Sequence, residues 1–149
     1  MKAIDATQRQ ELTNAVGIAL VDAAPEGWRR IDLMCLANID VHDLALTVLL
    51  NDGSNPAVLI PEEVRQSLLR LREGMHDPEK GTWFSSRVII DAPGTIYVKY
   101  NFDWDPLWNP SIATEGWARD LEAFPRAEEH IPDWLRTKLA EAETAEETR

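Results

Sequence analysis

The chain has a single cysteine among its 149 residues, so it cannot form an internal disulfide. That residue, Cys35, lies between Met34 and Leu36 in an apolar run, which favours a buried thiol over a reactive nucleophile. No apolar stretch reaches the ~20 residues of a membrane-spanning helix, and the first residues lack the apolar centre of a signal peptide. We therefore expect a soluble, cytoplasmic protein that does not bind membranes.

The motifs of common cofactor and metal sites are also missing. The seven glycines form no nucleotide-binding loop, and no two of the three histidines are spaced to share a helix face. Asn101, Asp103 and Asp105 have the spacing that begins a calcium loop. However, Pro106 stands where that loop needs glycine, and Ile112 stands where it needs a bidentate glutamate. We expect no metal, no cofactor and no enzymatic activity.

Positive charge is scarce as well. The chain carries 15 Lys and Arg against 26 Asp and Glu, which gives a net charge of −11. Residues 101–149 hold twelve of these acids but five of the basic residues, so their own balance is −7. Such a surface repels nucleic acid, and it attracts a basic protein and speeds the encounter with it. High charge also serves solubility, which is the simpler interpretation.

The sequence does contain one strong β-hairpin, over residues 82–102. Its first strand has an apolar run, and its second alternates apolar and polar residues with the period of a half-buried strand. The apolar positions are Trp83, Phe84, Val88, Ile90, Ile96, Val98, Tyr100 and Phe102. Pro93 and Gly94 lie between the strands and predict a type II turn in which Gly94 has a positive φ.

Helices and further strands surround this hairpin. The patterns predict a helix over residues 5–24 capped by Asp5 or Thr7, strands over 28–38 and 39–50, a short strand over 57–60 and a helix over 61–73 that ends at a left-handed Gly74. A third helix is predicted from Ser111 or Thr114 to about residue 123, and a fourth from residue 131. Residues 141–149 are polar and acidic, and we expect them to be frayed.

Because the strands come in hairpins rather than alternating with helices, we expect an α+β fold. It would have an antiparallel sheet of four to five strands with an N-terminal helix, a middle helix and two C-terminal helices packed on it. Residues 1–140 would form a single domain.

Six tryptophans distinguish the composition. Trp28, Trp83, Trp117 and Trp134 lie at element starts or on apolar faces and are predicted to be core residues.

The remaining two, Trp104 and Trp108, lie in an acidic segment with two prolines, residues 103–110. They either fold back to close the core or anchor a protein partner. For the second alternative, we predict a binding surface formed by Asp103, Trp104, Asp105, Trp108 and Glu115.

Several short motifs occur in an order that resembles the YezG-like immunity proteins. They are Pro25-Glu26-Gly27-Trp28, Leu71-Arg72 with Met75, Gly81-Thr82-Trp83, and Tyr100-Asn101-Phe102-Asp103 after the turn at Gly94. The resemblance covers roughly residues 12–117, and the last helices extend beyond it. It implies a small, acidic, cytoplasmic antitoxin that is encoded beside a secreted toxin, often a nuclease, and blocks it by tight binding. The resemblance assigns no toxin-contact residues.

Two functions from different classes therefore remain. The first is an immunity protein that binds a cognate basic toxin, as a monomer or a homodimer. The second is an acidic secretion chaperone, which would hold an unfolded effector segment on a large apolar surface and form a dimer through its helices. A third possibility, an enzyme or a small-ligand binder, has no motif in its favour.

Overall fold

A computed structural model describes residues 3–147 and contains one four-stranded antiparallel sheet. In chain order the elements are α1 (Ala6–Ala23), β1 (Trp28–Ala37), β2 (His42–Leu50), α2 (Glu62–Gly74), β3 (Ser85–Asp91), β4 (Thr95–Asn101), α3 (Thr114–Ala123) and α4 (Asp133–Glu147). A short 3-10 helix, Glu128–His130, lies between α3 and α4. The strand order across the sheet is β2-β1-β3-β4. The α+β fold predicted from the sequence is confirmed.

The central strand β1 sets the inner face of the sheet. Ile31, Leu33, Cys35 and Ala37 alternate along it, and all four are buried. The strand ends at Asn38, whose side-chain oxygen accepts hydrogen bonds from the backbone N–H groups of residues 40 and 41 at 2.8 and 3.0 Å. This side-chain turn competes with strand pairing. As a result, β2 begins at residue 42 rather than at the predicted residue 39.

Helices α1 and α2 cover the inner face and form the larger apolar cluster, which we call the sheet core. Its helical members are Val16, Ala19, Leu20, Val64, Leu68 and Leu71. Helix α1 starts at the predicted cap, where the Asp5 carboxylate accepts the Gln8 backbone N–H at 2.7 Å. The Gln8 side chain returns a bond to the Asp5 N–H at 3.0 Å, which completes a capping box.

The second hairpin pairs Val88 with Val98 and Ile90 with Ile96 on the inner face, as the alternation predicts. Its turn differs from the prediction. The Ala92–Pro93 peptide bond is cis, and Gly94 is not among the described glycines with positive φ, which are residues 27, 53 and 81. The type II turn with a left-handed Gly94 is therefore wrong.

Two further details of the prediction are wrong. Residues 57–60 form no strand, although Val58 and Ile60 still pack against the sheet core. Gly74 is not left-handed, because it is the last helical residue of α2 and has no positive φ. Packing requires glycine there instead, since an added Cβ would lie 2.6 Å from the Ile4 Cγ1 atom.

A second apolar cluster, which we call the aromatic cap, forms where α3 and α4 meet the start of the second hairpin. Phe84, Trp117 and Leu135 are its buried centre, and Trp108, Ile112, Ile131, Trp134 and Leu139 pack around them. The Trp134 ring meets those of Phe84 and Trp117 edge-on, with centroids 4.9 and 5.1 Å apart. All four tryptophans predicted as core residues belong to, or pack against, one of the two clusters.

The last helix, α4, continues to Glu147 and buries Ala142. The predicted frayed segment, residues 141–149, is therefore helical over its described part. Fraying of this helix end in solution stays a prediction, and residues 148 and 149 lie outside the described range. None of the helices within residues 3–147 combines the length and apolarity that crossing a membrane requires.

Candidate protein-binding site

The segment after β4, residues 103–110, is an ordered loop, and we call it the Trp loop. Asn101 organises its start: the side-chain oxygen accepts the Trp104 N–H at 2.9 Å, and the side-chain nitrogen donates to the Trp104 carbonyl at 2.9 Å. The Trp134 indole N–H donates to the Asp103 carbonyl at 2.8 Å. These bonds attach the loop to both the sheet and α4.

The middle of the Trp loop carries a strained residue. Leu107 has φ +59°, a left-handed conformation that a bulky side chain seldom adopts. An Asp105 carboxylate oxygen accepts the Leu107 N–H at 2.9 Å and helps to hold it there. Such strain persists where the surroundings fix it, and it is frequent at functional sites. It turns the leucine outward, so that 76% of Leu107 is exposed.

The two tryptophans of the Trp loop have opposite environments. Trp104 is 77% exposed, so the hypothesis that it folds back onto the core does not describe it. Trp108 does fold back and packs against the aromatic cap. Its indole nitrogen is buried and has no hydrogen-bond partner within the described residues. The loop therefore exposes Trp104 to solvent, whereas Trp108 packs against the aromatic cap and attaches the loop to it.

The structure brings only part of the predicted surface together. Asp103 and Trp104 are exposed, and Asp105 is half-buried beside them on the same loop. Glu115 lies in the first turn of α3, the helix that follows the loop, and is half-buried. Sequence reasoning missed Leu107, although a leucine between two tryptophans in a segment without regular structure could have indicated it.

The C-terminal region that contains the Trp loop carries many exposed acids. The exposed acids of the C-terminal region are Asp103, Glu122, Glu128, Glu129, Asp133, Glu141, Glu143, Glu146 and Glu147. Most of the described basic side chains of that region are engaged. Arg119 is paired with Asp40, Arg136 with Glu128, and Arg126 is buried. The negative charge of residues 101–149 is therefore largely exposed, while Lys138 lines the same small cavity as Asp105, Leu107 and Trp108.

A buried polar seam holds this surface against the sheet core. Arg72 of α2 and Asp120 of α3 make two hydrogen bonds of 2.8 Å, and their side chains are 3% and 6% exposed. Arg72 also donates to the Trp83 carbonyl at 2.8 Å, and Asp120 accepts the Ile39 N–H at 2.7 Å. Each charged group therefore has a backbone hydrogen-bond partner in addition to its ion-pair partner, and a buried ion pair needs such additional bonds.

Arg126 is the second buried cation of the seam. Its guanidinium donates to the carbonyls of Phe102, His130 and Thr82 at 3.0, 3.0 and 3.1 Å. It also stacks over the Phe84 ring at 4.7 Å. Burial lowers the pKa of Arg126, while the carboxylates of Asp103 and Asp120 act in the opposite direction. The positive charge of the seam thus lies directly beneath the acidic loop.

Sequence reasoning missed the seam, although α2 contains a signal for it. Arg72 follows Leu68 by four residues, so it falls on the same helix face as Val64 and Leu68. A cation on an otherwise apolar face needs a buried acid as a partner.

The remaining chemical candidates have structural roles. Burial raises the pKa of the Cys35 thiol to about 11, so it is protonated at neutral pH and unreactive. Asn101 and Asp105 direct side-chain oxygens to backbone N–H groups rather than to a metal. Within residues 3–147 there is no cluster of three or more His, Cys, Asp or Glu that could hold a metal ion.

The chain matches no protein-family model and no curated protein sequence. The resemblance to YezG-like immunity proteins therefore stays a hypothesis.

Proposed function

We propose that this protein is a non-catalytic immunity protein that neutralises a basic toxin by binding it tightly through the Trp loop. The observation that carries the proposal is the exposure of Trp104 and Leu107, at 77% and 76%, on a restrained loop within an acidic surface. These two side chains lie three residues apart on one loop, so together they offer an apolar surface that a protein partner would bury.

The loop combines the two properties that fast, tight capture requires. Tryptophan is enriched among interface residues whose truncation weakens binding most. Acidic groups around it attract a basic partner over long distances and raise the association rate. The hydrogen bonds of Asn101 and Trp134 fix the loop before binding, so little conformational entropy is lost on association.

Inhibition would follow from occupancy of the toxin's active site or of its substrate-binding surface. If the toxin is a nuclease, that surface must be basic to hold phosphate groups. The carboxylates of Asp103 and Asp105 would then lie where the nucleic-acid backbone binds. This mechanism requires no metal, cofactor or covalent step from the immunity protein.

Co-expression with the neighbouring large open reading frame tests the proposal. We expect that product to arrest growth alone and to be harmless when this chain is present. A neighbour without toxicity, or a failure of this chain to rescue growth, would contradict the immunity function.

A charge-reversal pair tests the binding surface. Asp103→Lys/Asp105→Lys should slow association with the toxin, and the slowing should be larger at low salt than at high salt. The matched control is Glu26→Lys/Asp52→Lys, which changes the net charge equally at two exposed turns near the other end of the sheet. Equal effects of the two pairs would remove the Trp loop from the interface.

An acidic secretion chaperone is the second candidate, and the exposed apolar side chains outside the Trp loop favour it. Leu59 is 92% exposed and Ile18 is 64% exposed. A chaperone would bind an unfolded segment of its effector and would tolerate replacement of Trp104. Binding of an unfolded polypeptide by the Trp104→Ala variant at wild-type affinity would support the chaperone over the immunity protein.

A further inference from the structure

Strand β4 lies at one edge of the sheet, and the register shows which of its residues face outward. The Ala37 N–H donates to the Phe84 carbonyl at 3.1 Å before β3, and the Ala92 N–H donates to the Arg29 carbonyl at 3.0 Å after it. Both bonds indicate that the even-numbered residues of β3 direct their backbone groups toward β1. Its odd-numbered residues then face β4. Because Ile89 pairs with Tyr97, the odd-numbered residues of β4 face β3 in return.

The even-numbered residues of β4 therefore direct their N–H and C=O groups away from the sheet. They are Ile96, Val98 and Tyr100, and no hydrogen bond to these backbone groups comes from another part of the described chain. Their side chains lie on the inner face, half-buried against the sheet core. Such an unpaired row is a template on which another strand can pair.

The space beside this edge is open. A groove of about 820 Å³ lies between the first half of α1 and Tyr100, and a cavity of about 400 Å³ lies between its second half and Ile96. Helix α1 thus flanks the edge without closing it. Taken together, the two spaces are lined by Ile96, Val98 and Tyr100 of β4.

The helix face beside the edge is mostly uncharged, although Asp5 and Arg9 line the larger space and Asp22 lines the smaller one. Gln10, Asn14 and Ile18 are exposed at four-residue spacing on α1, and each lines one of these two spaces. Only three of the 18 residues of α1 are charged, in a chain that is 28% charged overall. An open strand edge beside a charge-poor helix is what an interface core needs, because such cores are depleted of charged residues.

The sequence of β4, TIYVKYN, is close to a palindrome in chemical character around Val98. Antiparallel pairing of two copies with Val98 on the twofold axis sets Ile96 opposite Tyr100 and Tyr97 opposite Lys99. Apolar residues then meet on the inner face, and no like charges meet on the outer face. The Lys99 ammonium already lies 5.7 Å from the Tyr97 ring within one chain, so the same attraction is available across the axis.

We propose that two copies of this chain associate through β4, which joins their four-stranded sheets into one continuous sheet. In this register the N–H groups of Ile96, Val98 and Tyr100 of each copy donate to the other copy. The two α1 helices would lie side by side over the joint, with Ile18 covered. The inference is independent of the immunity function, because β4 is not part of the Trp loop.

Overall charge opposes this dimer, which gives it a distinctive salt dependence. Each copy carries a net charge of −11, so two copies repel one another at low ionic strength. The dimer should therefore become tighter as salt is added. An interface held by ion pairs would weaken under the same change.

Sedimentation equilibrium of wild type, Tyr97→Lys and Tyr97→Lys/Lys99→Glu tests the pairing. Tyr97 is 54% exposed on the outer face, so its replacement leaves the core intact, and circular dichroism confirms the fold. The single variant sets two lysines opposite each other at both ends and should weaken the dimer by at least about tenfold. The double variant sets lysine opposite glutamate and should restore it.

Hydrogen exchange identifies the strand directly. The amides of Ile96, Val98 and Tyr100 should exchange more slowly as protein concentration rises, whereas the Lys99 amide, which faces β3, should not change. A wild-type chain that stays monomeric at about 0.1 mM would overturn the proposal, because a specific dimer with a micromolar Kd would be formed there. So would a dimer that Tyr97→Lys leaves unchanged, since its interface would lie elsewhere.

Discussion

The sheet core and the aromatic cap bury side chains of different chemistry. The sheet core is mostly aliphatic, and its buried members alternate on strands or recur at helical spacing. The aromatic cap has two aromatic residues among the three at its centre and lies against two buried arginines. The stability of the sheet core depends mainly on buried apolar area. The stability of the aromatic cap also depends on buried polar groups that must keep their hydrogen-bond partners.

The stability of the fold should therefore be most sensitive to substitutions at the boundary between the two clusters. Arg72 belongs to α2, which packs on the sheet core, and Asp120 belongs to α3, which carries the aromatic cap. Removal of either leaves a charge buried without its partner. An aliphatic truncation in the sheet core leaves only a cavity, into which neighbours can relax.

The largest effect on stability is expected for Arg72→Met. It leaves the Asp120 carboxylate buried and should lower the free energy of unfolding by about 3–5 kcal/mol. That is a large part of the roughly 5–15 kcal/mol of a typical domain. Urea denaturation measures the change, and hydrogen exchange should show that Trp117 and Leu135 lose protection before Ile31 does.

Two variants control this prediction. Arg87→Met removes an exposed partner of Asp32, and its urea midpoint should match that of wild type because exposed ion pairs contribute little. Arg72→Met/Asp120→Leu should recover part of the lost stability, since no charge stays buried. If Arg72→Met were as mild as Arg87→Met, the seam would not join the two clusters.

A smaller loss of stability is expected for Gly81→Ala at the edge of the aromatic cap. Gly81 has φ +77°, and an added Cβ would collide with the Arg126 guanidinium. Gly53 is the matched control, because its φ is +86° but nothing lies near an added Cβ. Backbone strain alone amounts to about 1–3 kcal/mol, and it should appear in both variants. A further loss for Gly81→Ala in thermal unfolding would measure the contact with Arg126.

Sequence patterns predicted the sheet core well because one face of each element is uniformly apolar. Ile31, Leu33, Cys35 and Ala37 are apolar at every second position, and that period identifies the buried face of the strand. The aromatic cap was predicted less completely. Its buried charges belong to Arg72, Arg126 and Asp120, which are separated along the chain, and local spacing cannot pair them.

The error at Gly74 arises because a local rule was applied where a distant contact decides. Gly74 was assigned a left-handed conformation because glycine commonly ends helices that way. In the structure it is glycine because Ile4 occupies the space of a side chain. A contact between residues so distant in sequence has no periodic signature. The different environments of Trp104 and Trp108 have no periodic signature either, because both lie in a loop without regular secondary structure.

A still weaker effect on stability is expected from the protonation of His42 in β2. His42 is exposed at the start of β2, but partial desolvation of its ring lowers its pKa below the usual 6.5, and the positive charges of Arg65 and Arg72 lower it further. The unfolded chain therefore binds this proton more readily, so stability falls as pH drops below 6.5 toward the folded pKa. His42→Gln should flatten the dependence of the urea midpoint between about pH 7 and pH 5.

Acids with lowered pKa values, such as Asp77 and Asp91, act in a different range, because their contribution is lost below their ordinary 3.8. An unchanged slope above pH 5 in His42→Gln would exclude a role for this histidine.

The smallest change in stability is expected for Trp104→Ala, and its contrast with Trp108→Ala tests the division of the Trp loop. Trp104 is 77% exposed, so its removal should alter the free energy of unfolding by less than about 0.5 kcal/mol. Trp108 packs on the aromatic cap, and its removal should lower the free energy of unfolding by about 2 kcal/mol or more.

Affinity for the toxin should show the opposite order. Truncation of Trp104 should weaken binding by at least about tenfold, as expected for an anchor residue. If both variants lost stability equally and bound equally, the exposed tryptophan would be part of the cap, and the acidic surface would have to bind without an anchor.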